Sequence, residues 1–115
     1  MGLDTYAVYP NDDDNDRGDF VPDDIFSGIN LCGGMFSGGG SSFRGKVYSE
    51  TIEHITGVNL YSESYISSSR VKDMAHMLKK HVNRVGRDNV GDDVINIYKW
   101  FKIAGKNGFA IYNWR

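Results

Sequence analysis

Cysteine is nearly absent from this chain. Cys32 is its only one, so no internal disulfide can form, and a reducing cytoplasm is the expected home. No apolar run approaches the roughly 18 residues of a membrane span. The start, Met1-Gly-Leu-Asp-Thr-Tyr6, carries an acid where a secretory signal needs a basic region, and no apolar segment follows. Position 6 is Tyr rather than Ser or Thr, so the myristoylation pattern is missing too. There is no internal repeat and no linker. At 115 residues the expectation is one domain, 1–115, with one core.

Aromatic residues are plentiful, at 13%, within a 40% hydrophobic content, which excludes a disordered chain. Charge is unevenly placed. Residues 10–24 hold seven aspartates and one arginine, a net −6, against eight acids and twelve bases elsewhere, a net +4. The picture is a mildly basic body with a flexible acidic loop at 10–24, and attraction to nucleic acid would act through the body. The aspartates suggest a Ca²⁺ loop, but the register fails. Counting from Asp13 puts Arg17 at a ligand position, and counting from Asp12 puts it at the required glycine.

The stretch Gly33–Lys46 carries six of the 14 glycines and leads into a helical pattern. Such a segment has few side chains with which to build a core, so it either wraps closely around something or moves. A glycine-rich loop is expected at 33–42. Around it, Leu3–Tyr9 alternates as a strand, and Ile25–Cys32 is a candidate second strand weakened by Gly28. Phe43–Thr56 turns helical, with Phe43, Val47, Thr51 and Ile55 as its stripe, Tyr48 and Ile52 beside it, Ser41 or Ser42 as N-cap, and Gly57 past its end. Val58–Ile66 reads as extended chain. The clearest helix spans about 68–85, with Val71, Ala75, Leu78, Val82 and Val85 inward and Met74 at the edge. A third starts at Gly91 or Asp92 and turns Val94, Ile97, Tyr98, Phe101 and Ala104 inward. Phe109–Trp114 alternates as a last strand. The spacing predicts an α+β fold: a small antiparallel or mixed sheet, its first and last strands neighbours, packed against about three helices.

Met1-Gly-Leu-Asp-Thr-Tyr6 and Phe36-Ser-Gly-Gly-Gly-Ser-Ser-Phe-Arg-Gly-Lys-Val-Tyr48 together resemble small proteins encoded by bacteriophages, including phages of cyanobacteria. The resemblance covers the first strand, the glycine stretch and the helix after it, and more weakly the later helices. It implies an accessory gene acting in an infected bacterium. It brings no assigned activity, so no catalytic residue carries over.

Gly40-Ser-Ser-Phe-Arg-Gly45-Lys46 fits seven positions of a phosphate-binding P-loop, but the eighth is Val47, which cannot ligate Mg²⁺. A weaker anion site remains, made of glycine backbone before a helix N-terminus with Arg44 and Lys46 adding charge. Cys32 and His54, His76 or His81 lack any spacing that supports a thiol–imidazole pair, and His76 and His81 stand too far round a helix to share a metal. No catalytic constellation is visible and no cofactor is expected.

The first expectation is therefore a small non-enzymatic binding or regulatory protein engaging a host or phage protein. Its contact residues are drawn from Phe36, Gly38, Gly39, Gly40, Ser41, Ser42, Arg44 and Lys46, with Trp100 and Trp114 as aromatic anchors. The alternatives are a phosphate-bearing small molecule at the turn 38–46, and nucleic acid gripped by Lys72, Lys79 and Lys80 on one helix.

Overall fold

A single strand ties the molecule together. In the computed structural model, described for residues 3–11, 17–26, 28–29 and 41–114, strand β1 (Asp4–Pro10) pairs on both edges. One edge takes the final strand β5 (Ala110–Trp114), antiparallel, with Thr5 opposite Asn113 and Ala7 opposite Ile111. The other edge is shared end to end by two short strands. β2 (Arg17–Phe20) meets its later half and β3 (Ser42–Arg44) its earlier half. The two-residue β4 (Tyr65–Ile66) closes the sheet beyond β5. All pairings are antiparallel, and the fold is α+β, with first and last strands side by side as the alternation predicts.

Three helices cover one face: α1 (Gly45–Thr56), α2 (Ser68–Val85) and α3 (Asp92–Lys106). Side chains alternate across a strand, so Leu3, Ala7, Ile66 and Ile111 point into this core. There they meet Ile52 of α1, Val71, Met74, Leu78 and Val82 of α2, and Ile97, Trp100, Phe101 and Ala104 of α3. One polar pair lies inside. Thr5 Oγ1 donates to Asn113 Oδ1 at 2.7 Å, while Asn113 Nδ2 donates to the Glu63 carbonyl at 2.8 Å. Asn113 thus fastens β1, β5 and the turn before β4 to one another, and satisfying these buried groups avoids the desolvation penalty of leaving them bare.

Several expectations are corrected. The acidic loop contains a strand, because Phe20 returns to β1 and lays its ring 5.1 Å from Tyr6. Aromatic contact and strand pairing there outweigh the cost of gathering aspartates. Within the proposed strand 25–32, Ile25 and Phe26 end a 3₁₀ turn (Asp23–Phe26), and Phe26 stacks on Trp100 at 5.0 Å.

Ser41 and Ser42 do not cap α1. Ser42 lies in β3, the Ser41 carbonyl accepts from Ala7 N–H at 2.8 Å, and Arg44 stands at the N-cap with no side-chain bond. The buried face of α1 is Tyr48, Ile52 and Thr56, one position round from the expected stripe, and it leaves Val47 52% exposed. In α2, Met74 is central rather than peripheral, and Ala75 and Val85 are only partly buried. Gly57 does end α1, with φ 77°, a conformation that favours glycine. Among the described residues, no helix is long and apolar enough to cross a membrane.

Candidate binding surfaces

The face of the sheet turned away from the helices carries one surface. Opposed residues in an antiparallel pair project to the same side. Arg44, Asp4 and Trp114 therefore form one row across β3, β1 and β5, and Ser42, Tyr6, Tyr112 and Tyr65 form the next across four strands. Phe20 adds a ring 5.1 Å from Tyr6 and 6.4 Å from Tyr112. Phe20 is 50% exposed and Trp114 47%. Burial, with Asp4 and Tyr112 nearby, pushes the Tyr6 hydroxyl above its ordinary value.

The sequence-derived site residues separate. Arg44, Ser42 and Trp114 come together on this face. Ser41 and Ser42 are buried and offer almost no surface to a ligand. Trp100 is corrected outright. It is 0% exposed, wedged between Phe26, Phe43 and Phe101 at ring distances of 5.0, 4.9 and 5.2 Å, and is a core residue rather than an anchor. Phe36, Gly38, Gly39 and Gly40 lie outside the described residues, as do Cys32 and most of the glycine loop 33–42.

One backbone N–H at the helix N-terminus of the proposed anion turn is already engaged. Lys46 N–H donates to the Leu3 carbonyl at 3.3 Å. A Cβ on Gly45 would overlap Thr5 Oγ1 and approach Leu3 Cδ2 to 2.9 Å. At Gly45 the glycine is there for close packing of α1 on β1.

A second surface lies on the helices. The α2–α3 junction opens a groove of about 310 Å³, lined from α2 by Lys72, Ala75, His76 and Lys79 and from α3 by Tyr98, Lys102, Gly105 and Lys106. Its floor is apolar, its rim carries four ammonium groups, and among the described residues no carboxylate lines it. Lys102 Nζ stands 6.0 Å from the centroid of the Tyr98 ring. On the other flank of α2 a cleft is lined by His54 and Ile55 of α1 and by Met77, Lys80, His81 and Arg84 of α2. Arg84 Nη2 lies 3.5 Å from His81 Nδ1.

The nucleic-acid candidates are thus divided: Lys72 and Lys79 enter the groove, while Lys80 belongs to the cleft. Sequence reasoning missed Lys102 and Lys106. They stand four apart on one helical face, as Lys72 and His76 do, but only antiparallel packing of α2 on α3 sets the two faces together. Among the described residues, no group of three or more His, Cys, Asp or Glu side chains forms a metal site.

No protein-family model matches the chain, and no curated protein or solved structure does either. The two surfaces lie on opposite sides of one sheet.

Proposed function

We propose that the chain is a small non-enzymatic binding protein, a bacteriophage accessory protein acting in the host cytoplasm, that engages a host or phage protein through the outer face of its sheet. The observation behind this reading is the composition of that face. Tyr6, Phe20, Tyr65, Tyr112 and Trp114 gather beside Arg44 across adjacent strands. Tyr, Trp and Arg are the residues that dominate protein-interface energetics, because they bring large contact area with a polar end. Rigid strands hold them in register, which lowers the ordering cost of association. The alternative, a phosphate-bearing small molecule at the turn 38–46, has less support, because Lys46 N–H is spent on Leu3 and Gly45 is filled against by Thr5.

The test is affinity capture from host lysate at low and high salt, with the wild-type chain and with a Phe20→Ser, Trp114→Ser double variant. The expected result is one stoichiometric protein, retained at high salt by the wild type and lost by the variant. Equal retention by both chains, or no retained protein at all, overturns the reading.

A further inference from the structure

We propose that α2, with the groove on one flank and the cleft on the other, is a second binding surface that grips the phosphate backbone of duplex nucleic acid without reading its sequence. This goes beyond the sheet-face reading and uses the opposite side of the molecule. Six cationic side chains from two helices line the two flanks of α2. Lys72, Lys79, Lys102 and Lys106 rim the groove, and Lys80 and Arg84 line the cleft. None of the six makes an ion pair among the described residues. Like charges held this close repel one another, and a polyanion relieves that repulsion while releasing its own condensed counterions.

Acids are few on this side of the molecule, and Asp73 stands on the Lys80 and Arg84 side of α2 at i+7 and i+11 spacing. α3 carries Asp92 and Asp93 in its first turn and Lys106 in its last, with Lys102 one turn earlier, so charge is segregated along it, and the antiparallel packing sets the basic end beside Lys72. On α2 the lone acid between Ser68 and Val85 is Asp73. Glu50 of α1 lines an adjoining cleft with His54 and His81.

The layout suits phosphates spread along a backbone better than one compact anion. Lys72 and Lys79 lie about 10 Å apart along the α2 axis and Lys80 and Arg84 about 6 Å, at roughly 1.5 Å per residue. The set extends across neighbouring helices whose axes are typically about 8–10 Å apart. Lysines serve as point charges rather than planar forks, which suits phosphate neutralisation without base readout. Duplex is favoured over single strand because, among the described residues, the groove and the cleft offer no exposed aromatic ring to stack on. Tyr98, the aromatic ring in the groove, is buried, with Lys102 above it.

The experiment is fluorescence anisotropy with a labelled duplex of about 20 base pairs, titrated between about 50 and 200 mM salt. With six contacts, the logarithm of affinity should fall against the logarithm of salt with a slope of about −5, a loss of about 10³-fold over that range. A Lys72→Ala, Lys79→Ala, Lys102→Ala, Lys106→Ala variant should leave a slope of about −2, and the loss over the range should shrink to about tenfold. A Lys80→Ala, Arg84→Ala variant should shift the slope by about 2. Thermal melts by circular dichroism check that both variants stay folded, as expected for exposed substitutions. The proposal is overturned by absent binding at low salt, by slopes unchanged in folded variants, or by poly-glutamate competing as well as duplex. That last outcome would assign the surface to an acidic protein.

Discussion

Gly45→Ala is the sharpest probe of how this chain folds. The added methyl would overlap Thr5 Oγ1 and lie 2.9 Å from Leu3 Cδ2 and 3.0 Å from Leu3 Cγ. Neither neighbour can give way cheaply. Both residues are fully buried, and the Thr5 hydroxyl is held by its 2.7 Å bond to Asn113. Overpacking of this kind costs about 1–3 kcal/mol. Displacing Thr5 forfeits a buried hydrogen bond worth about 1 kcal/mol. The higher helix propensity of alanine returns less than about 1 kcal/mol in the first turn of α1. The net expectation is a loss of about 2–3 kcal/mol, from a total on the order of 6–17 kcal/mol for a chain this long.

Urea unfolding followed by far-UV circular dichroism reads this as a midpoint lowered by about 1–2 M. Gly105→Ala is the matched control. Its Cβ would meet Lys72 Cα at 3.4 Å and Ala75 Cβ at 3.6 Å, ordinary packing distances, so that variant should be unchanged or gain about 0.5 kcal/mol. A Gly45→Ala midpoint indistinguishable from wild type would refute the argument that α1 is seated on β1 by the absence of that one methyl.

Trp100→Ala should cost about 3–5 kcal/mol in the same assay, while Trp114→Ala should stay within about 1 kcal/mol; similar values for the two would contradict the division into core and surface. Asn113→Leu should cost about 2–4 kcal/mol, because it strands both the Thr5 hydroxyl and the Glu63 carbonyl, and an unaltered melting temperature would show that Asn113 is no fastening point. Glu63 accepts from Arg70, with one bond at 2.7 Å, and this holds its carboxyl below the ordinary 4.5. A depressed carboxyl stabilises the fold above its unfolded value and loses that contribution as pH falls from about 4.5 through the lowered folded value. For so exposed a pair the effect is at most about 0.5 kcal/mol, measured as the difference between the wild-type and Glu63→Gln melting temperatures at pH 7 and pH 3; a difference that does not shrink at the lower pH would contradict it.

Local order was written plainly in the chain. Apolar residues spaced by three and four fixed α2 and α3 nearly to their ends, and period-two alternation fixed β1 and β5, because both signals depend on neighbours a few positions apart. Gly57 marked the end of α1 for an equally local reason, its left-handed backbone. What the sequence did not decide lies across longer separations. Residues 17–20 read as part of an acidic loop, and became a strand only because β1 offered an edge and Tyr6 a ring for Phe20.

The N-terminus of α1 moved to Gly45 because Ser42–Arg44 found a strand to pair with. Trp100 reads as an aromatic anchor in the sequence, and only the packing of Phe26 and Phe43 against it makes it core. The same holds for the two surfaces. Arg44 and Trp114 are 70 positions apart in the chain, and the Lys72–Lys79 segment lies more than 20 from Lys102. Composition and period determined which helices and strands this protein has. Only the pairing of β1 with β5 on one edge and with β2 and β3 on the other, and the packing of α2 on α3, decided which side chains share a face, since proximity between distant residues comes from packing and has no period to read.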